Sequence, residues 1–286
     1  MDFDIPKEIA DYLDVLDDFI EQEIKPLENE NDNVRFFDHR REDARTDWER
    51  GGLPNDEWEA LLFEARMRAD AAGHYRYAMP KELGGQDGTN LGMAIIREHL
   101  ATKGLGLHND LQNEHSIVGN NVGVLLMANY GTEEQKEEWL PLMLEGKRGF
   151  AFGITEPAHG SDATHMETKA ERDGDGWRIN GAKTWNTGIH KAQYDMVMAR
   201  TSGEPGDGDG ITAFLTPMNA EGVNIEEFLW TFNMPTDHGT VSFTDVYVDN
   251  MSIFGEEGHG LQIVQHFFNE NRIRQAASSL GAAQFC

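Results

Sequence analysis

Apolar positions in the first half of the chain recur at the spacing of helices. Over residues 9–24 they fall three or four residues apart and Pro26 follows, so the pattern predicts an amphipathic helix that ends at this proline. No clear period holds over residues 29–50, which we predict as a loop or a short exposed helix. Asn55 can cap the next helix, whose apolar positions begin at Trp58.

Further helices are predicted before the pattern changes. Asn90 precedes one of them, and residues 116–130 are apolar enough for a buried central helix. Thr132 and Gln135 have the spacing of a capping box at the start of the last one. We therefore expect an all-α domain over residues 1–149.

From Phe150 the period becomes that of strands. Short alternating or β-branched segments are separated by clusters of Gly, Asp and Asn. These segments are residues 176–180, 195–199, 211–215 and 240–244. Because no helical pattern lies between them, they predict an antiparallel barrel or sandwich, of which we take the barrel as the expected fold. We assign this β domain to residues 150–256.

Helical spacing returns near Gly258 and continues through Leu280. No breaker and no polar last turn precede Cys286, so we expect residues 257–286 to be the first helix of a third, helical domain that is cut there. The predicted fold class is α+β: an N-terminal α-helical domain, a middle antiparallel β-barrel and the start of a C-terminal helical domain. We also expect that the apolar stripe of this helix, which includes Val264, is left uncovered.

The charge balance narrows the range of partners. The 286 residues include 51 acidic and 24 basic side chains, which gives a formal net charge of −27 with histidine neutral. Phosphate recognition needs a cationic face, so no nucleic-acid partner is expected. The acidic excess fits either a protein from a high-salt environment or an ordinary solvated surface.

Cysteine usage and hydropathy bear on the compartment. The one cysteine excludes a disulfide framework or a cysteine-based metal cluster within one chain, which favours a reducing cytoplasm. No stretch reaches the ~20 apolar residues that span a bilayer, so no membrane span is expected. Residues 1–4 are acidic and lack the apolar core of a secretory signal.

Several familiar chemistries are not indicated. The sequence contains no P-loop, no His-Glu-x-x-His and no dinucleotide-binding glycine pattern after a strand. The acidic segments 173–176 and 207–210 resemble calcium loops, but their fifth ligand positions are Trp177 and Ile211. We predict them to be hairpin turns, and no metal site is expected.

Two other segments carry candidate chemistry. In residues 155–162 a proline and flexible positions lie between a strand and a polar end, so backbone amides and hydroxyls can converge on an anion. The same pattern also fits an ordinary tight loop. In residues 183–188 Trp185 stands between polar residues, where it could line a flat ligand or pack in the core.

Taken together, these segments resemble the acyl-CoA dehydrogenase family. The family's middle domain carries a Thr-Glu-Pro-x-x-Gly-Ser-Asp loop followed by an Asn-Gly-x-Lys-x-Trp-x-x strand, which match residues 155–162 and 180–187. The resemblance extends over essentially the whole chain. Further matching segments are residues 243–248 with the glycines at 255, 258 and 260, residues 80–85 and residues 131–136.

The resemblance implies flavin adenine dinucleotide (FAD) as cofactor and an acyl-CoA thioester as substrate. Thr155 and Thr187 would hydrogen-bond the edge of the flavin ring, and Ser161 with the Gly160 backbone would meet the pyrophosphate or the pantetheine arm. The residues matched to flavin binding are Phe152, Ile154, Thr155, Gly160, Ser161, Trp185, Asn186 and Thr187. Those matched to substrate binding are Ser161, Phe268, Asn271 and Arg272.

Family chemistry needs a glutamate that removes the proton next to the thioester carbonyl while the β hydrogen leaves as hydride. In some members this base precedes an arginine on the first C-terminal helix, and the matching arginine is Arg272. Asn271 precedes it and cannot take a proton. Glu270 is one residue further away, which turns a helical side chain by roughly 100°. We therefore expect the base beyond Cys286.

Three functions are compatible with the resemblance. The first is α,β-dehydrogenation of an acyl-CoA, with electron-transfer flavoprotein or a similar acceptor and a homodimeric or homotetrameric assembly. The second is a flavin-dependent oxidase or monooxygenase on the same scaffold. The third is a non-catalytic member of a hetero-oligomer, against which the intact Thr155, Trp185 and Thr187 argue. His159 departs from the family loop and is expected on its solvent side.

Overall fold

The chain forms two compact units. A computed structural model describes residues 4–109, 116–119, 121–231 and 234–286, without the side chains of Glu42 and Met234. The helical unit comprises the described residues within 4–46, 54–121 and 269–286, and the β unit comprises those within 47–53 and 122–268. The domain limits expected from the sequence, after residues 149 and 256, stay predictions.

Seven α-helices are present in the described part of the chain. They are α1 (Lys7–Phe19), α2 (Lys25–Asn29), α3 (Asp56–Ala71), α4 (Asn90–Thr102), α5 (Val122–Tyr130), α6 (Glu133–Leu144) and α7 (Gly260–Phe285). In the helical unit, α1, α3 and α4 bury a common apolar core that includes Leu16, Trp58, Ile96 and Leu100. This amphipathic packing confirms the predicted helical first half.

The first helix continues past Pro26, so the predicted end was wrong. A π-helical turn, Ile20–Ile24, joins α1 to α2, and Pro26 lies in the first turn of α2. Proline is tolerated there because the N–H groups of a first turn lack intrahelical acceptors in any case. In the wide turn the Lys25 N–H donates to the Ile20 carbonyl, which restarts the hydrogen-bond ladder just before the proline.

The aperiodic segment after α2 is irregular, as predicted, but it is not exposed throughout. It forms 3₁₀ helices over Glu30–Phe37 and His39–Arg45. Phe36 is 4% exposed because its ring packs 5.1 Å from that of Trp58, centroid to centroid. The Arg45 guanidinium lies over the same indole at 4.4 Å. The segment therefore covers the core of the helical unit.

The helix starts agree with the capping signals to within one residue. Asn55 Oδ1 accepts the Trp58 N–H at 2.7 Å, as predicted for α3. For α4 the cap is Thr89, whose Oγ1 accepts the Gly92 N–H at 3.1 Å, and Asn90 is the first helical residue. The capping residue is therefore Thr89, and the helix begins one residue earlier than predicted.

The predicted helix over residues 116–130 is shorter in the structure and begins only at Val122. Its second part is α5, whereas its first part is buried without being helical, and Asn120 lies outside the described residues. Gly119 N–H and Asn121 Nδ2 both donate to the Tyr75 carbonyl, at 3.1 and 2.7 Å. Asn121 has φ +48°, which is left-handed and interrupts a helix. Tertiary hydrogen bonds have replaced the local ladder here.

The β unit is built on one eight-stranded sheet. Its strands are β3 (Phe150–Gly153), β4 (Lys169–Asp173), β5 (Gly176–Thr187), β6 (Tyr194–Arg200), β7 (Ile211–Pro217), β8 (Val223–Thr231), β9 (Met234–Asp249) and β10 (Ile253–Phe254). A separate two-stranded sheet contains β1 (Thr46–Asp47) and β2 (Leu53–Pro54). The order in the large sheet is β10-β7-β6-β4-β5-β9-β8, and β3 pairs with β6.

This architecture confirms the α+β class but corrects two details of the sheet. Most pairs are antiparallel, whereas β3 and β4 each pair with β6 in parallel. Parallel pairs need long connections, and the chain between β3 and β6 supplies one. The barrel is not closed: within the described residues β8 and β10 end the path without pairing to each other, and β10 has only two residues.

Helices α5 and α6 pack in the β unit. The capping box at the start of α6 is present as predicted: Gln135 N–H donates to Thr132 Oγ1 at 3.2 Å, and Thr132 N–H donates to Gln135 Oε1 at 3.0 Å. One apolar cluster includes Met127, Trp139 and Val264. A second cluster lies within the sheet and includes Trp177, Ile179 and Phe214. Two apolar clusters of the β unit, one of which includes residues of helices α5 and α6, therefore stabilise the sheet.

Helix α7 is continuous, as predicted, but its apolar stripe is only partly uncovered. Val264 is fully buried in the β unit, so the expectation that it is exposed was wrong. Leu280 remains 59% exposed. In the helical unit Arg97 Nε donates to Ser278 Oγ at 3.2 Å, and a Cβ at Gly281 would lie 2.2 Å from the Glu98 carbonyl oxygen. None of the described helices combines the length and apolar character needed to cross a membrane.

The acidic segments are hairpin connections, as predicted. Residues 173–176 close the β4–β5 hairpin with Asp173 opposite Gly176, and Gly174 has φ +59°. Residues 207–210 belong to the connection between the antiparallel strands β6 and β7. Among the described side chains, no group of three or more His, Cys, Asp or Glu is arranged to hold a metal ion.

Candidate functional site

The loop after β3 carries the first set of predicted ligand contacts. Glu156 and His159 close a tight turn, with N–H···O distances of 2.9 and 3.2 Å in the two directions. Thr155 is half-buried, and Gly160 and Ser161 are exposed. In the described part of the chain, neither the Gly160 N–H nor the Ser161 hydroxyl has an acceptor. Both groups are therefore available to an anionic ligand.

A β-bulge in β5 orients Trp185. Lys183 pairs with Val241 and Asn186 with Gly239, so β5 holds one more residue than β9 between these two pairs. Trp185 has φ +65°, a left-handed conformation that is uncommon for a bulky residue. Its side chain is 49% exposed. Such backbone strain concentrates at ligand sites, and here it turns a large aromatic face outward.

One backbone hydrogen bond brings the loop and the bulge together. The Thr184 N–H donates to the Thr155 carbonyl at 2.9 Å, so Thr155 lies beside Trp185 on the surface of the β unit. Thr187 follows two residues later and is half-buried, with its hydroxyl 3.5 Å from the Trp185 carbonyl. Two half-buried threonines thus lie on segments next to the exposed indole, an arrangement that suits a flat, polar-edged ligand.

Ile154 and Asn186 face the interior. Ile154 is 7% exposed and belongs to an apolar cluster of the β unit. Asn186 is fully buried, and its Nδ2 donates to Asp195 Oδ2 at 2.5 Å. A ligand on the Trp185 surface can therefore meet these two residues through their backbone only. Their assignment to flavin binding stays a prediction.

A buried ion pair supports the site from below. Lys183 Nζ, with a fully buried side chain, lies 2.8 Å from Glu156 Oε1 and donates to the Ile154 carbonyl at 3.2 Å. Glu156 also accepts the N–H groups of Glu167 and Thr168, at 2.6 and 2.9 Å. Burial alone would raise the pKa of Glu156, but the ammonium and these hydrogen bonds hold the pKa below its usual value. Burial lowers the pKa of Lys183.

Aromatic rings extend the site along β3. Phe152 stacks on Phe267 of α7, with ring centroids 4.3 Å apart and planes 27° apart. Phe268, predicted to bind substrate, is half-buried and lies 5.9 Å from the Phe267 ring. Phe152 is also half-buried, so part of this aromatic group reaches the surface of the β unit.

The remaining predicted substrate residues belong to the helical unit. Asn271 is half-buried and its Oδ1 accepts from Arg274 Nη2 at 3.4 Å, whereas Arg272 is exposed. The side-chain amide of Asn90, in the orientation that satisfies both groups, donates to Glu270 at 3.0 Å. The Glu270 carboxylate is therefore engaged with the start of α4. The roles of Asn271 and Arg272 stay predictions.

His159 lies at the rim of the loop. It is half-buried, and its Nε2 is 3.2 Å from Glu167 Oε1. A second histidine, His165, stacks on it at a centroid distance of 6.3 Å and contacts Asp162 through Nδ1 at 2.9 Å. Both imidazoles thus contact carboxylates of the β unit.

Sequence reasoning missed the buried polar groups under the loop and strand. The motifs contain Glu156 and Lys183 but assign no role to them, and the alternating pattern shows Asp195 only as a strand residue. A signal was present: a charged residue within a strand of otherwise apolar or neutral positions is seldom buried unless it is paired. The partner of such a buried charged residue lies on a segment that is distant in sequence, so the sequence pattern does not show it.

Comparison with protein families identifies the fold. The N-terminal domain of acyl-CoA dehydrogenases matches residues 6–147, and the middle domain matches residues 151–246. The chain belongs to the acyl-CoA dehydrogenase family.

Individual relatives agree with this assignment. Isobutyryl-CoA dehydrogenase of Dictyostelium discoideum is 34% identical over 209 residues, which cover 72% of this chain and 48% of the relative. Glutaryl-CoA dehydrogenase of Desulfococcus multivorans is 29% identical over 100% of this chain and 67% of its own length. The crystal structure of acyl-CoA dehydrogenase from Geobacillus kaustophilus shares the fold, with a TM-score of 0.67, 24% identity and coverage of 100% and 68%. The chain thus spans about half to two thirds of the length of these relatives.

Proposed function

We propose that this protein is an FAD-dependent dehydrogenase that converts an acyl-CoA thioester to the 2-enoyl-CoA. The observation that carries the proposal is the bulge that exposes Trp185 beside Thr155 and Thr187, at the positions where the family motifs hold a flavin. The fit is chemical as well as positional, because the indole offers a flat face and two hydroxyls offer hydrogen bonds to a polar ring edge.

The residues of the chain would divide the binding of FAD between them. Trp185 would pack against the ring, while Thr155 and Thr187 hydrogen-bond its edge. The Gly160 N–H and the Ser161 hydroxyl would hold the pyrophosphate or the pantetheine arm with neutral donors. When bound, the flavin supplies a hydride acceptor. We assign the proton-accepting carboxylate to no described residue, since Asn271 cannot take a proton and Glu270 is engaged with Asn90.

The assembly and the electron acceptor are proposed on the family resemblance. We expect a homodimer or homotetramer that passes electrons to electron-transfer flavoprotein or a similar acceptor, in the cytoplasm. Light scattering on the protein expressed from its complete coding sequence measures the assembly. A stable monomer would contradict this part of the proposal.

The cofactor is tested directly on that same protein. We expect it to purify with bound flavin, and mass spectrometry of the released cofactor should give FAD. Rapid mixing of the reduced enzyme with air separates the alternatives, because a dehydrogenase reoxidises slowly and an oxidase or monooxygenase quickly. A colourless protein that does not take up added FAD would contradict the proposal and favour a non-catalytic role.

Thr187→Ala tests the hydrogen bond to the flavin edge. We expect flavin to be retained and the reductive half-reaction to slow by about 5 to 150-fold, because one hydrogen bond in a shielded site contributes about 1 to 3 kcal/mol. The measurement is single-turnover flavin bleaching by an acyl-CoA. Thr244→Ala, at an exposed position of β9, is the matched control and should leave the rate unchanged. Equal rates for Thr187→Ala and the wild type would contradict the assigned contact.

A further inference from the structure

A carboxyl group that the proposed chemistry does not use lies beneath the Trp185 surface. Asp195 is fully buried on β6, between β3 and β7, opposite Ala151 and Thr216. Its Oδ2 accepts from Asn186 Nδ2 of β5 at 2.5 Å. No other hydrogen-bond partner of this carboxyl group is present in the described part of the chain. A buried carboxylate with a single neutral donor is a poorly stabilised anion.

Two acceptor atoms of this pair are left without donors. Asp195 Oδ1 and Asn186 Oδ1 are both buried, and neither has a hydrogen-bond partner among the described residues. Both side chains rest on Gly153, where a Cβ would lie 2.8 Å from Asp195 Oδ2 and 3.1 Å from Asn186 Nδ2. One proton on the carboxyl group supplies the missing donor, because a carboxylic acid can donate its O–H to the oxygen of a primary amide while it accepts an N–H from that amide. The two hydrogen bonds then form a closed ring.

The charges around the pair also favour a proton on Asp195. Among the described residues, Lys183 of β5 is the only charged group that shifts the pKa of Asp195. The residue opposite Asp195 on β7 is the neutral Thr216. Lys183 donates hydrogen bonds to the Glu156 carboxylate and to the Ile154 carbonyl. The negative charge of Glu156 is stabilised by this ammonium and by two backbone N–H groups. An ionised Asp195 would leave this buried cluster with a net charge of −1. A protonated Asp195 makes it neutral.

We infer that Asp195 is a positioning residue that works as a protonated acid: paired with Asn186 over Gly153, it fixes β5 and the end of β3 so that Trp185, Thr187 and Thr155 can bind flavin. The inference rests on the proposed function for its ligand, but the protonation itself does not. Asp195 acts through strand geometry and does not contact the flavin.

The protonation of Asp195 depends on pH. Burial raises the pKa of Asp195 from 3.8 to about 7, against smaller opposing effects of Asn186 and Lys183. A raised folded-state pKa means that the group's contribution to stability is present below the unfolded pKa and is lost as the pH rises towards 7. In the native state the proton leaves to solvent near pH 7, and the acid–amide ring then opens.

Asp195→Asn is the test variant because an amide can keep both hydrogen bonds to Asn186 but cannot titrate. Asp175→Asn makes the same substitution at an exposed position in the β4–β5 turn and serves as the control. Infrared spectroscopy of the flavin-free protein should show the C=O band of a buried protonated carboxyl group in the wild type and in D175N. The band should be absent from D195N. Identical spectra for the wild type and D195N would overturn the assigned protonation.

Flavin affinity, measured by quenching of FAD fluorescence, tests the positioning role. We expect the wild-type dissociation constant to rise about fivefold between about pH 7 and about pH 8, because only the protonated fraction, which falls from about one half to about one tenth, is competent to bind. D195N should lack this rise and D175N should keep it. Parallel profiles for the wild type and D195N would overturn the positioning role. If neither the wild type nor the two variants bind FAD at any pH, the proposed function is wrong. The infrared spectra still show whether Asp195 is protonated.

Discussion

Replacing Lys183 by methionine is expected to lower the free energy of unfolding by about 3 to 5 kcal/mol, because it leaves the Glu156 carboxylate buried without its ammonium partner. Both side chains are at most 4% exposed, so solvent cannot take over the role of the lost charge. Chemical denaturation at neutral pH, followed by circular dichroism, measures the change.

Two further variants show whether the loss comes from the unpaired charge. Lys169→Met removes an exposed lysine of the neighbouring strand β4 and should change stability by less than about 0.5 kcal/mol. The double variant K183M/E156Q should be more stable than K183M alone, since a neutral amide needs no ammonium partner. A double variant that is less stable than K183M would show that the loss arises from packing and not from charge.

Trp58→Ala is expected to lower the free energy of unfolding by about 3 to 5 kcal/mol through the cavity that it opens. The Trp58 side chain is fully buried, with the Phe36 ring at 5.1 Å, the Phe37 ring at 5.7 Å and the Arg45 guanidinium over its face. The substitution removes the group on which the irregular segment after α2 packs. Chemical denaturation should therefore show the lower stability, and limited proteolysis should show faster cleavage of this segment.

Phe63→Ala is the matched control for this variant. Phe63 lies on the same helix but is 53% exposed, so its removal should change stability by less than about 0.5 kcal/mol. Cleavage by trypsin within residues 30–45 should accelerate in W58A and not in F63A. Equal stability of the two variants would contradict the assigned core of the helical unit.

Local signals were enough for the elements that their own residues stabilise. The capping box of Thr132 and Gln135 and the cap of Asn55 join residues three apart, so the sequence contains all that they need. The acidic turn 173–176 is equally local, since Gly174 can adopt the left-handed conformation between two paired strands. The family motifs also placed the loop and the strand of the candidate site.

Predictions failed where a hydrogen bond or a turn that the hydrophobic pattern does not show decides the path of the backbone. Residues 116–130 have the composition of one helix, but the Tyr75 carbonyl accepts hydrogen bonds from Gly119 and Asn121, and the helix begins only at Val122. Pro26 reads as a helix end, yet the π turn before it lets the chain continue. In both cases the deciding hydrogen bond or turn geometry has no counterpart in a hydrophobic pattern.

The sequence by itself determined the family and the change from helices to strands near Phe150, and its motifs singled out the residues of the candidate site. Only the tertiary structure decided which way those residues face. Residues 183–187 carry no mark of the bulge that turns Trp185 out and Asn186 in, because a bulge is defined by the register against β9. The partners of Lys183 and Asp195 come from other segments of the sheet. Their ionisation depends on burial, a property of the packed sheet that no single segment possesses.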